Sequence, residues 1–166
     1  MKKRLLFISL LAVAIAGISA SSVSGANAKK KKKSTPVTLG PNPFITHMFT
    51  ADPSAHVWKD GRLYVYPSHD IDPPRGCDLM DRYHVFSTDD MVHWTDHGEI
   101  LNSSQVAWGR KEGGFMWAPD CAYKNGTYYF YFPHPSGTNW NDSWKIGVAT
   151  SRKPAERFKV KGYIKG

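Results

Sequence analysis

Beyond Lys33 this chain has no charge excess, almost no cysteine and almost no helical periodicity. Each shortage excludes something. Of the 22 Lys and Arg, eight (Lys2, Lys3, Arg4 and Lys29 to Lys33) lie in a stretch without a single acid. From Ser34 onward 14 basic residues face 14 acidic ones. A nucleic-acid protein carries its positive charge on the folded face, so DNA and RNA drop out as partners and the high pI belongs to the leader. The longest apolar run, Leu5 to Ile18, is too short to span a bilayer comfortably. No Cys follows directly behind it, which argues against a lipid-modified N-terminus. Two cysteines, Cys77 and Cys121, cannot make a disulfide framework; one bridge and two free thiols both remain open.

The leader itself is legible. A basic start, an apolar run and then small residues read as a secretory signal peptide over 1–28, cut after Ala20 or after Ala26-Asn27-Ala28. The expected location is therefore secreted or periplasmic, with no membrane span left after cleavage. Residues 29–41 read as a Lys-rich linker and 42–166 as the folded part. That part holds all six Trp and all eight Tyr, which excludes intrinsic disorder.

Short alternating or aromatic runs separated by turn residues argue for an all-β fold. His56–Lys59 and Arg62–Tyr66 flank Asp60-Gly61, a two-residue hairpin signal. Cys121–Lys124 and Thr127–Phe132 flank Asn125-Gly126, the same signal again. Each hairpin runs into a Pro and a His, as Pro67-Ser68-His69 and Pro133-His134. A strand over Tyr83–Thr88, the turn Asp89-Asp90, then Trp94 and Gly98, match a strand over Lys145–Ser151, the turn Lys153-Pro154, then Phe158 and Gly162. Gly61 and Gly126 stand 65 residues apart, and Gly98 and Gly162 stand 64 apart. Two such units predict two four-stranded blades of a β-propeller. Two blades cannot close a ring, so the chain reads as a piece of a larger propeller.

Two carboxylates stand at matching places. Asp52 precedes the first strand of unit one, in Ala51-Asp52-Pro53-Ser54, and Asp120 opens unit two, in Trp117-Ala118-Pro119-Asp120. First strands line a propeller's axis, so both point toward one axial pocket. An Asp beside a Pro also caps turns, and for either residue alone that reading is the better one; their matching places favour function. Paired carboxylates about 6.5–9.5 Å apart suit inverting glycoside hydrolysis.

These residues resemble glycoside hydrolase family 43. The resemblance rests on Asn42-Pro43, Ala51-Asp52-Pro53-Ser54, Phe86-Ser87-Thr88-Asp89-Asp90-Met91-Val92-His93-Trp94, Trp117-Ala118-Pro119-Asp120 and Ile146–Ser151, in that order. It implies a five-bladed propeller of inverting enzymes acting on arabinose- and xylose-containing plant polysaccharides. It implies Asp52 as the general base that activates water and Asp120 as the group that tunes and orients the general acid. The acid would be a Glu of a third blade. Glu99, Glu112 and Glu156 do not match its context, and Glu112 reads as a solvated loop charge. Trp117 and Phe115 are candidates to stack on sugar, with packing between blades an equal alternative. His69 and Asp70 could bond sugar hydroxyls, though a polar loop explains them better. No cofactor is required; the family resemblance allows a structural calcium on the axis. The seven histidines form no metal set: His93 and His97 are four apart but fall on a strand and turn. Asn102, Asn125 and Asn141 match glycosylation acceptors. A non-catalytic carbohydrate-binding propeller is the alternative function.

Overall fold

The structure, a computed structural model, describes residues 36–40, 42–71, 76–137, 139 and 143–166. The leader with its two cleavage points, the five-lysine run and Asn141 lie outside them. Strand formers dominate what is described, and no α-helix occurs among these residues. The strands are β1 (Val37–Leu39), β2 (Phe49–Val57), β3 (Leu63–Asp70), β4 (Arg82–Thr88), β5 (Trp94–Asn102), β6 (Asp120–Lys124), β7 (Thr127–Pro135), β8 (Trp144–Ser151) and β9 (Lys159–Tyr163). They form two antiparallel sheets, ordered β1-β5-β4-β3-β2 and β6-β7-β8-β9. Each sheet holds one of the expected four-stranded units.

The turns follow from residue chemistry, with one correction. Asn125 (φ 49°) and Gly126 (φ 78°) form a two-residue loop between the paired Lys124 and Thr127, the left-handed pair that a right-twisted hairpin accepts. The first hairpin is looser than the expected two-residue loop. Trp58 and Arg62 still exchange a backbone bond (3.2 Å), and the Gly61 N–H closes back on the Trp58 carbonyl (3.0 Å). Lys59, Asp60 and Gly61 therefore make a three-residue loop, with Gly61 (φ 79°) at its left-handed end. The other glycine pair marks matching irregularities. Gly98 and Gly162 both sit where the last strand of each sheet gains a residue against its neighbour.

The linker also needs correcting. Thr38 and Leu39 pair with Thr95 and Trp94, making β1 a fifth strand on the first sheet. Three residues are too short a run to read from sequence. Phe44 then crosses the outer face of that sheet, stacked on Trp94 at 3.8 Å and edge-on to Phe86 at 5.7 Å.

The core lies between the sheets. Tyr64, Tyr66, Tyr83, Val85, Ile100 and Leu101 from the first meet Cys121, Phe130, Phe132 and Ala149 from the second, joined by Phe158 just ahead of β9 and by Met116 on the segment between the sheets. Burying a hydroxyl without a partner costs free energy, and the deepest phenols find partners across this boundary. Tyr66 donates to the Pro154 carbonyl (3.0 Å) and accepts from Trp58 Nε1 (3.0 Å). Tyr83 donates to the Trp117 carbonyl (2.7 Å). Two backbone bonds cross as well, Phe158 N–H to Ile100 and Met116 N–H to Met80, both 2.9 Å.

Both cysteines are free, Cys77 exposed and Cys121 buried, which decides between the two readings of their spacing. Burial, and to a smaller degree the neighbouring Asp120 charge, push the Cys121 thiol up to about 12. A thiol-reactive disulfide reagent at pH 8 should titrate one group in the native chain and a second only on unfolding. Two fast groups, or none, would contradict this arrangement.

Gly147 illustrates how tightly the second sheet is packed. A Cβ there would stand 2.3 Å from the Phe132 ring. The Gly147→Ala variant should lose about 1–3 kcal/mol, seen as a lower urea midpoint at unchanged slope, and Phe132→Leu in the same chain should recover part of it. An unchanged midpoint in the single variant would refute this packing.

His134 is fully buried beside Trp108 and against Gly109. Burial lowers its pKa to about 4, the Gly114 backbone opposes that weakly, and Arg110 lowers it further. The unfolded chain binds this proton below the ordinary value of 6.5 while the folded chain refuses it until about 4. His134 therefore removes stability as pH falls from 6.5 toward 4. The His134→Leu variant should lose less stability than the native chain over that window, as read from thermal midpoints; equal slopes would count against it.

Candidate active site

The two carboxylates stand on the facing edge strands of the two sheets. β2 ends the first sheet and β6 begins the second. An edge strand tolerates Pro because one side of its ladder is unpaired, and Pro53 sits inside β2. Around it the register slips: Ala51 pairs with Ser68, but Ser54 pairs with Tyr66. Three steps on β2 against two on β3 define a bulge, which turns a side chain out of the ladder. Asp52 occupies that bulge at φ 45°, exposed, a conformation a non-glycine residue adopts only when its surroundings impose it. Ser68 Oγ, fully buried, donates to the Ala51 carbonyl (2.9 Å) and pins the strand just before the bulge.

Asp52 lies five residues before Val57, where β2 ends, and Asp120 four before Lys124, where β6 ends. The bulge accounts for the extra residue, so the two acids occupy equivalent positions on their strands. The sequence pattern sets Asp52 just ahead of its strand; β2 instead begins at Phe49 and takes Asp52 in at the bulge, whereas Asp120 opens β6 as expected.

Asp120 is held from two directions. Its Oδ1 accepts the Cys121 N–H (2.8 Å) and lies 2.7 Å from His56 Nε2. A carboxylate only accepts, so Nε2 carries the proton. Partial burial alone would raise the Asp120 pKa. The hydrogen bonds from His56 and Cys121, with the His56 charge, outweigh it and hold the carboxyl below its ordinary value. His56 was visible in the sequence only as one of several scattered histidines. Nothing in its own segment marks it, because the contact it makes is 64 residues away.

The remaining candidates separate into two groups. His69 and Asp70 end β3 and pair with Thr50 and Phe49, which places them at the same end of the hairpin as Asp52. They line a cleft of about 520 Å³ together with Ile45 to Phe49 and Ile71. His69 is half-buried, and burial first, then His84 and Arg82, lower its pKa. Trp117 and Phe115 lie on the approach to β6. Trp117 Nε1 donates to the Cys77 carbonyl (2.6 Å), and its ring packs against Trp144 (4.8 Å) and Phe115 (5.8 Å). Phe115 is only 6% exposed, at φ 56°, beneath the Arg110 guanidinium (5.1 Å). A ring so covered offers no open face to a sugar, and its place is packing.

The three glutamates are engaged elsewhere. Glu112 accepts from Arg110 Nε (3.1 Å), Glu156 faces Lys153 Nζ (3.0 Å), and Glu99 lies between Arg82 and Arg157. His93 bonds Asp90 (2.6 Å) while His97 bonds Ser87 (2.7 Å), so that pair does not converge. Among the described residues no group of three or more His, Cys, Asp or Glu is arranged to hold a metal ion.

Known proteins share this architecture. The model of glycosyl hydrolases family 43 matches residues 41–166. The chain is 44% identical to xylosidase/arabinosidase 43A of Humicola insolens, over 70% of this chain and 36% of that protein. It is 40% identical to a xylosidase/arabinosidase of Bacteroides ovatus, over 66% and 34%. The GH43_1 enzyme of Xanthomonas citri, solved with xylotriose, aligns at 41% identity and a TM-score of 0.61 over 70% of this chain and 33% of its own. A GH43 β-xylosidase/α-arabinofuranosidase from a compost metagenome aligns at 42% and 0.62, over 76% and 38%. The chain thus spans about a third of the length of the curated relatives it matches.

Proposed function

The chain belongs to glycosyl hydrolases family 43, and from that premise we propose that it forms part of an exported enzyme that hydrolyses O-glycosidic bonds in arabinose- and xylose-containing plant polysaccharides or oligosaccharides. The observation that carries the proposal is the equivalent placement of Asp52 and Asp120 on facing edge strands, one thrown outward by a bulge and one held ionised by His56 and Cys121.

Each acid has a different task. Asp52 takes a proton from a water that attacks the anomeric carbon on the face opposite the leaving group, so the configuration inverts. Its exposed position on a bulge suits a base that must reach a water rather than a buried partner. The leaving oxygen receives its proton from a Glu outside this chain. Asp120 stays anionic and raises the pKa of that Glu by like-charge repulsion, keeping it protonated at working pH. His69 and Asp70, beside the cleft at the Asp52 end of the hairpin, are the residues we assign to sugar hydroxyls, and Trp117 to the edge of the same site. No cofactor enters these steps; a calcium, if the full fold holds one, would be structural. The leader over 1–28 supports export.

In the full-length gene product, Asp52→Asn should lower kcat on an aryl arabinoside or xyloside by roughly 10²–10⁴-fold while leaving oligosaccharide affinity in place. Turnover unaffected by the substitution would remove Asp52 from the reaction. A native protein that binds sugar but turns over nothing would favour the carbohydrate-binding alternative. The 166-residue chain alone, without its acid, should stay close to background.

A further inference from the structure

Asp120 can tune a partner only if its carboxylate points in one direction. Yet its side chain is 63% exposed, and an exposed carboxylate ordinarily samples several rotamers. The Cys121 N–H fixes one oxygen through a bond to the adjacent residue, which constrains it loosely. The second constraint crosses from the other sheet. His56 Nε2 reaches the same oxygen at 2.7 Å, and the imidazole is itself immobilised. It stacks nearly parallel on Trp58, with centroids 4.9 Å apart and planes at 14°. Trp58 is fixed in turn by its Nε1 bond to Tyr66, whose hydroxyl continues to the Pro154 carbonyl, and by an edge contact with Tyr128 at 5.3 Å. A rigid path therefore leads from the core to one oxygen of Asp120.

We propose that His56 is a positioning residue: it aims the Asp120 carboxylate by donating its Nε2 proton across the boundary between the two sheets. This role rests on the reading of Asp120 given above. The titratable and charged groups gathered around the pair are Cys121 on β6, Tyr66 on β3, and Lys59 with Tyr123 at the hairpin ends. None of them replaces the donor, since Lys59 is directed over the Tyr123 ring and Tyr66 is committed to Pro154.

Two substitutions separate donation from packing. His56→Phe keeps a ring on Trp58 and removes the donor, whereas His56→Gln keeps an N–H at similar reach and removes the ring. In the full-length gene product, His56→Phe should lower kcat by up to roughly 10²-fold at little-changed KM. It should also move the basic limb of the kcat/KM profile to lower pH, because a misdirected Asp120 no longer supports the acid. His56→Gln should recover most of both. Carbon-13 NMR of Asp-labelled protein should show the Asp120 carboxyl titrating higher in His56→Phe than in the native protein. An unchanged Asp120 titration, or a His56→Phe enzyme of native rate and profile beside an impaired Asp120→Asn enzyme, overturns the role of His56 alone. If Asp120→Asn is itself fully active, the reading of Asp120 fails and the role of His56 goes with it.

Discussion

The boundary between the two sheets is the constraint on which everything else depends. It is built from phenols and aromatic rings, which bring large apolar area but also hydroxyls that cannot be buried unpaired. Tyr66 and Tyr83 meet that demand by bonding backbone carbonyls beside the second sheet, at Pro154 in the β8–β9 turn and at Trp117 on the approach to β6. Such bonds have defined lengths and directions, so they fix the registry of one sheet against the other where greasy contact alone would allow sliding. Gly147, lying flat beneath the Phe132 ring, removes the last freedom on the second side.

Because the sheets are fixed, their edge strands are fixed too. β2 and β6 come together through the His56–Asp120 contact, and the two acids inherit a set relation from it. The local devices differ. At Asp52 the chain uses a bulge with Pro53 and a left-handed backbone to turn a carboxylate outward. At Asp120 it uses hydrogen bonds from the facing strand and from the next amide to keep a carboxylate ionised. One acid is left accessible and the other is restrained, which is the division of labour that two carboxylates of unlike role require.

Much of this was legible in the residue pattern, and the exceptions share a cause. Asn125-Gly126 announced its turn because the residues that tolerate left-handed backbone are few. The Gly98 and Gly162 spacing announced the repeat because both mark a bulge in the fourth strand of their unit. Asp52 and Asp120 were found by their equivalent places in that repeat. What stayed hidden depended on partners distant in sequence. Asp60-Gly61 looked like a two-residue turn, but the Trp58–Arg62 backbone bond lengthens the loop. Val37–Leu39 becomes a strand only because β5 offers an edge. Phe115 read equally as a sugar platform or as packing, and Arg110, Trp117 and Trp144, which cover it, make it packing. His56 carried no local mark at all.

The central claim is that Asp52 and Asp120 serve one saccharide. The most direct measurement is a crystal structure of the full-length gene product, inactivated at the base, with a xylo- or arabino-oligosaccharide bound. The expected result is a sugar ring between the two side chains, with a water near its anomeric carbon within about 2.6–3.2 Å of residue 52 and Asp120 directed at the same ring. A sugar seated elsewhere, for instance in the cleft between Ile45–Phe49 and the end of β3 with neither acid in contact, would contradict it.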